Sequence, residues 1–339
     1  MRQGFNPKKD KVLQKGDFFH QIVIPVYIPN HQDYFKDSFQ ILKLCLESLF
    51  RTIHSKTYVS IVNNGSCEDV KLYLNALYDC GKIHELVTTS NIGYINAMLK
   101  GIAGQNFQFF TTADADVLFL NGWQESTYSI FSSFPRAGAV CPTPSPKSLR
   151  THTANIYWDL LFSNKLKFSK VLNKDALLKF ASSIDNSDFY NEFQLKKYLT
   201  ISSGKVKAVV GAGHFVVTYK ASIFENLKKR YTNFVLGGNS DNLFDIPVVE
   251  KGYWRLSTEN NYAYHLGNIH EEWMDLELKS ITENKFEPKE EKYFEICHYS
   301  NFSYWIKNKF FAKIFFKKYF FRRFLLLKGL SVEAAKKYN

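Results

Sequence analysis

The 339-residue chain has no run approaching the roughly 18 consecutive apolar residues of a membrane-spanning helix, so none is expected. Residues 1–17 are polar and Lys-rich and lack the apolar stretch of a secretory signal. Cysteine offers no framework either. Cys45, Cys67, Cys80, Cys141 and Cys297 are odd in number, scattered and without C-x-x-C spacing. That pattern fits free thiols in a reducing cytoplasm and argues against disulfides or a cysteine zinc site. Internal repeats are lacking. Acidic residues are nearly missing from one stretch: residues 297–339 hold ten Lys/Arg and one Glu, or +9, while 1–296 hold 34 Lys/Arg against 31 acids, or +3. The net charge of +12 is therefore mostly not the work of the main body.

Hydrophobic residues make up 45% of the chain, enough for one large domain or two modest ones. Short apolar runs at 20–27, 59–62, 85–89, 107–112 and 138–142 read as strands. Helix-periodic stretches near 42–53, 68–78, 95–103 and 123–132 fall between them. This alternation predicts an α/β fold with a mostly parallel sheet and helices on both faces. Ligands bind such sheets at the carboxyl ends of the strands. The polar loops 25–30, 63–66, 90–93 and 114–116 then all open on one edge. In the last of them Asp114 and Asp116 stand one residue apart, which in an extended segment puts both carboxylates on one side. Two such charges repel unless a cation lies between them, and a hard divalent ion with a phosphate beyond it suits the arrangement. A polar strand-to-helix turn is the plain alternative. Residues 146–205 are less regular and read as an insertion with helices near 170–182 and 188–199. Regular structure resumes at 206–210 and 215–219.

Seven segments occur in order: Ile22-Val23-Ile24-Pro25-Val26-Tyr27, Ile61-Val62-Asn63-Asn64-Gly65-Ser66, Asn91-Ile92-Gly93-Tyr94-Ile95-Asn96-Ala97, Thr112-Ala113-Asp114-Ala115-Asp116-Val117, Gly211-Ala212-Gly213, Gly237-Gly238-Asn239-Ser240-Asp241 and His265-Leu266-Gly267-Asn268. Together, over about residues 20–270, they resemble a family 2 glycosyltransferase of the GT-A fold. The resemblance implies transfer of a sugar from a nucleotide diphosphate sugar to an acceptor hydroxyl, with Mn2+ or Mg2+ stabilising the departing pyrophosphate. It implies Asp116 as the direct metal ligand, Asp114 toward the ribose or a metal-bound water, and His265 as a further metal or pyrophosphate ligand, with a core or turn histidine as the alternative. Pro25, Val26 and Tyr27 are implied to line the base pocket, with Asn91 and Gly93 letting the chain approach the donor. The second loop usually carries an Asp; here Asn63-Asn64 replaces it, so the base is left open and a UDP-sugar is only the default. The same residues also suit a simple turn. Gly211, Gly213 and Gly238 are implied to floor the transferred sugar. Asp241 is the implied general base of an inverting displacement, with Asp245 as fallback and a helix cap as the alternative for Asp241. Trp123 and Trp254 are expected in the core.

The expected layout is an N-terminal extension (1–19), a nucleotide-sugar-binding half (20–145), an acceptor-binding half with the insertion (146–282), and a linker with a basic-aromatic helical tail (283–339). Residues 305–330 contain no acid and interleave aromatics with Lys/Arg, though Lys309, Lys313 and Lys317 share a stripe that Lys318 and Arg322 leave. This favours attachment to an anionic membrane surface, hence a cytoplasmic protein held peripherally at the inner face of the cell membrane. The alternative is a helix packed on the domain or on a partner; nucleic acid is not expected. A saccharide or lipid-linked saccharide acceptor and a place in bacterial surface polysaccharide or lipooligosaccharide assembly follow as working expectations. Two other readings stand beside these. A sugar-nucleotide nucleotidyltransferase usually carries a Gly-rich basic loop after the first strand, and 25–30 has neither Gly nor Lys/Arg. A non-catalytic binding module fits poorly with the retained Asp114, Asp116, Asp241 and His265.

Overall fold

A computed structural model describes residues 4, 9, 11, 16–225, 231–238, 240–288 and 299–338. Most of the expected N-terminal extension, the later part of the linker, Cys297 and Asn239 of the Gly-Gly-Asn-Ser-Asp segment lie outside the described residues. The first half follows the expected alternation: β1 (His20–Val26), α1 (Ser38–Thr52), β2 (Thr57–Asn64), α2 (Glu68–Asp79), β3 (Glu85–Thr89), α3 (Tyr94–Ile102), β4 (Phe109–Ala113), β5 (Val117–Phe119), α4 (Trp123–Ser133) and β6 (Ala137–Cys141). β1 is buried along its whole length because it lies between β2 and β4 and is covered on both faces. Pro25 is tolerated there because β4 pairs only with residues 20–23, so no partner on that side needs its N–H. α1 turns Leu42, Cys45, Leu46 and Leu49 inward at three- and four-residue spacing. α3 comes so close to the sheet that a Cβ on Gly101 would sit 2.4 Å from Val23 Cγ1. Trp123 and Trp254 are buried, as expected.

The second half supplies α5 (Ala154–Leu160), β7 (Leu166–Lys170), α6 (Lys174–Ser183), β8 (Lys197–Ser203), β9 (Val206–Val210), β10 (Val216–Lys220), α7 (Ile246–Glu250), β11 (Trp254–Thr258), β12 (Ala263–His265) and α8 (Glu272–Ser280). Ten strands form one sheet in the order β3-β2-β1-β4-β10-β6-β11-β9-β8-β7. The sheet is mixed, which corrects the expectation of a mostly parallel one. β3, β2, β1 and β4 are parallel, but β10 enters antiparallel between β4 and β6, and β7, β8, β9 and β11 pair antiparallel in turn. The parallel rule fails because β8 and β9 join through a tight turn at Gly204, with positive φ, and need no crossover helix. The expected helix at 188–199 is also absent. Asn191 accepts the N–H groups of Phe193 and Gln194 and closes a turn, after which Tyr198, Thr200 and Ile201 run on as β8.

The tail packs on the domain. Helical turns at Asn301–Tyr304, Trp305–Phe311 and Ala312–Phe315 run on from one another; Phe316 and Lys317 break the helix before Lys318–Leu327 and Val332–Lys337. Phe315, Phe321, Phe324 and Leu325 are buried against Tyr157, Ile156 and Leu149. At about 1.5–3 kcal/mol each as an upper range, these four hold the tail firmly. Lys307 Nζ reaches Asp159 Oδ1 at 2.7 Å, and Arg150 Nη2 donates to Phe316 O at 3.0 Å. Lys309, Phe310, Lys313, Lys317, Lys318, Tyr319, Phe320 and Arg323 remain exposed on the outer face. Among the described residues no helix is long and apolar enough to cross a membrane.

Candidate functional site

Asp114 follows directly on β4, where its N–H donates to Phe215 O at 2.8 Å. The chain then forms β5, a strand that periodicity did not reveal, which pairs antiparallel with β12 so that His265 lies opposite Val117. Leu266 N–H donates to Asp116 O at 2.8 Å. This short second sheet brings His265 Nε2 to 3.4 Å from Asp116 Oδ2, although the two residues are far apart in sequence. One ligand atom from each of Asp114, Asp116 and His265 lies within 4.8 Å of the others. The Tyr94 hydroxyl donates to Asp114 Oδ1. Ser183, at the end of α6, was not singled out in the sequence. Its hydroxyl donates to Phe180 O at 2.8 Å, so its oxygen accepts the Nδ1–H of His265 at 2.8 Å. His265 Nε2 is then a bare lone pair aimed at a carboxylate, and Asp116 Oδ1 is buried without a partner. Burial pushes the Asp116 carboxyl up; burial, then the Asp116 charge, pushes Asp114 up against the pull of Tyr94 and His265. Burial also lowers His265. Three acceptors converging with no donor among them fit a divalent cation. No motif announces Ser183, but Gly267 of the His-Leu-Gly-Asn segment packs on it: a Cβ there would meet Ser183 O at 2.5 Å.

A second cluster forms around Asp241, which opens the π-type turn Asp241–Asp245. Ser240, not Asp241, stands at the cap position of that turn, and Asp241 Oδ2 lies 3.3 Å from His152 Nε2. Burial raises the Asp241 carboxyl, but the His152 hydrogen bond and the charges of His152, His214 and Arg255 outweigh it and hold the group below the usual carboxylate range. Asp245, the fallback base, is fully buried and lies against the equally buried Arg255 at 2.9 Å, so it is withdrawn from any acceptor. A cavity of about 290 Å3 opens beside the first cluster. Its lining includes Asp114, His265 and His214, with Lys147, Ser145, Phe180, Phe189, Tyr190, Phe215 and Gly213. His214 Nδ1 is in turn 3.5 Å from Asp245 Oδ2.

The description Glycosyl transferase family 2 matches residues 22–184. The match spans a little under half of the chain. Similar solved structures include TarS 1-349 of S. aureus in complex with UDP-GlcNAc, at 11% identity and TM-score 0.45, covering 76% of this chain and 61% of that one. The mannosyltransferase PcManGT from Pyrobaculum calidifontis, in complex with GDP-Man and Mn2+, is similar at 12% identity and TM-score 0.41, covering 70% of this chain and 54% of that one. This chain thus spans 61% and 54% of their lengths. No curated protein matches it significantly.

The implied donor loops are built as staples. Pro25 and Val26 are buried, and only Tyr27 is exposed, edge-on to Phe35. Asn63 Oδ1 accepts from Ser66 N–H at 3.0 Å and Asn64 Oδ1 from Ile92 N–H at 2.9 Å. Both carboxamide oxygens are therefore committed to the loops, and Asn64 ties the second loop to the third. Asn91 Oδ1 accepts from Gly93 N–H at 3.0 Å. Gly93 has φ 86°, and a Cβ there would meet Phe234 O at 2.8 Å, so glycine admits the 231–238 segment over the start of α3. Of the three glycines implied under the sugar, only Gly213 lines the cavity. Gly211, at φ 98°, lets the 145–150 loop approach, since a Cβ would lie 2.6 Å from Ser148 O. Gly238 packs against the Phe234 ring.

Proposed function

We propose that the protein transfers a sugar from a nucleotide diphosphate sugar to an acceptor hydroxyl in one inverting displacement. The observation that carries this reading is a cavity lined by Asp114 and His265, two of the Asp114–Asp116–His265 set, and by His214, whose Nδ1 lies 3.5 Å from Asp245 Oδ2. Asp116 and His265 hold Mn2+ or Mg2+, and Asp114, fixed by Tyr94, faces the ribose or a metal-bound water. When bound, that cation neutralises charge on the departing nucleotide diphosphate. Asp241, held ionised and half exposed, accepts the proton of the attacking hydroxyl, and its lowered pKa keeps it ready at neutral pH. The aromatic wall of Phe180, Phe189, Tyr190 and Phe215 gives sugar faces an apolar surface and limits water at the reacting carbon. Residues 20–145 serve the donor through Tyr27 and the Asn63–Asn64–Asn91–Gly93 loops, and residues 146–282 serve the acceptor. A uridine donor is the working choice.

The exposed basic-aromatic face of the tail supports attachment to an anionic bilayer at the cytoplasmic side. A lipid-linked saccharide acceptor in bacterial surface polysaccharide or lipooligosaccharide assembly suits that location. Donor hydrolysis with Mn2+ or Mg2+ across UDP- and GDP-sugars tests the enzyme reading. Turnover that depends on metal and is lost in Asp116→Ala and Asp241→Asn supports it; no binding or turnover of any donor, or activity unchanged in Asp116→Ala, sinks it.

A further inference from the structure

His152 is one of three non-glycine residues with positive φ among the described residues, at 54°. Side chains adopt that conformation at a cost, and it persists only where the surroundings impose it. Here they do. The fully buried Arg255 donates from Nη1 to Thr151 O at 3.1 Å, directly before His152, and from Nη2 to Ala212 O at 3.1 Å, two residues before His214. Its Nη2 also lies 2.9 Å from Asp245 Oδ1, one helical turn after Asp241, and its backbone oxygen accepts Gly211 N–H at 3.0 Å. One guanidinium thus joins the three segments that carry His152, His214 and Asp241. The segment leading to His152 is fixed further by Thr151 N–H to Ser148 O at 3.1 Å and Thr153 Oγ1 to Leu149 O at 2.7 Å. The left-handed backbone at 152 brings the imidazole to Asp241, Nε2 to Oδ2 at 3.3 Å.

Two chemistries suit a pair of histidines beside a pair of aspartates. A second cation is the less suitable, because Arg255 already neutralises the buried Asp245 and would face the ion across it. We propose that His152 is the positioning residue for Asp241. In this role, which rests on Asp241 as the base, its Nε2–H holds one carboxylate oxygen so that the other is presented to the acceptor hydroxyl, and the Arg255–Asp245 pair fixes the frame in which it does so. The groups facing Asp241 from all packed elements are His152, His214, Arg255, Asp245 and Tyr219.

Two readouts on the full chain test this. In histidine-selective 15N spectra, the His152 ring signals, assigned with His152→Gln, should show the Nε2–H tautomer and lose that preference in Asp241→Asn. Signals that do not respond to Asp241→Asn overturn the proposal whether or not a donor is known. In donor hydrolysis, His152→Asn tolerates the left-handed backbone but is too short to reach, whereas His152→Gln reaches with an N–H. The former should lower kcat about tenfold at unchanged donor KM and move the acid limb of the pH profile upward; the latter should recover most of both. Equal impairment of the two variants, or a loss confined to KM, overturns it. Activity retained in Asp241→Asn instead removes the base reading, while the spectra still report on the contact.

Discussion

The Asp116→Asn substitution should make the metal-free protein more stable while ending its response to metal. The carboxylates of Asp114 and Asp116 have ligand oxygens within 4.8 Å of each other and no donor between them. At an effective dielectric of about 20, two charges at that separation repel by about 3 kcal/mol. Solvent reaches both side chains, so we take half of that, about 1.5 kcal/mol. With an unfolding entropy of about 2.1 cal/mol/K per residue, a chain of 339 residues gains about 2 °C in Tm. The pH dependence has a definite sign. Burial raises both carboxyls in the folded protein, so it binds more protons than the unfolded chain and loses stability as pH rises. The advantage of Asp116→Asn should therefore be full at pH 8 in EDTA and vanish near pH 4. Saturating Mn2+, at about a hundred times its Kd, should raise the wild type by a further ~2.7 kcal/mol, or about 4 °C, and leave the variant nearly unmoved. Thermal unfolding followed by fluorescence reads all four states. A variant less stable than wild type in EDTA at pH 8, or equal Mn2+ shifts in both, would falsify the metal-site assignment.

Other consequences follow from named contacts. Asp245→Ala leaves the Arg255 guanidinium buried without its counter-charge and should cost about 3–5 kcal/mol, read as a lower denaturant midpoint. Ser183→Ala frees the tautomer of His265 and should weaken Mn2+ affinity about tenfold by calorimetry, with little change in Tm; unchanged affinity removes Ser183 from the site. Charge reversal of the exposed Lys309, Lys313, Lys317 and Lys318 to Glu should abolish sedimentation with phosphatidylserine liposomes without lowering Tm, and equal sedimentation would end the membrane reading. Ending the chain after residue 300 should instead lower Tm by several degrees, because it uncovers Tyr157 and Leu149; an unchanged Tm contradicts the packing described.

Most of the first half was legible because β1 to β4, β6 and the helices between them announce themselves by their own periodicity. That is why Asp114 and Asp116 could be placed at a strand end from sequence. Their partner could be named only through the family resemblance, since the contact with His265 depends on a three-residue pairing, β5 with β12, too short to carry a period. The mixed character of the sheet was hidden for a related reason. β9 and β10 are ordinary apolar runs and β8 mixes polar with apolar residues, while direction lies in the turns between them. His152 left even less trace: its importance rests on a backbone angle and on a guanidinium more than a hundred residues away.

The tail shows how the wrong frame hides a regular pattern. A single helical wheel over 305–330 scatters the charges, because π-type turns and the break at Phe316–Lys317 reset the phase. Within Lys318–Leu327 alone, Phe321, Phe324 and Leu325 fall at i, i+3 and i+4, face inward and are buried. The two readings of the tail, packed helix and membrane face, are then not rivals, since each uses residues the other leaves free. The packed face also reaches toward the chemistry. Arg150 lies over the rings of Phe316 and Phe321 and hydrogen-bonds Phe316 O, two residues before the strained His152. A tail held against a bilayer by its outer face would therefore keep its inner face on the loop that carries His152. If so, Arg150→Ala should lower kcat for donor hydrolysis while leaving liposome binding intact. Full turnover in Arg150→Ala would show that the tail does not support that loop.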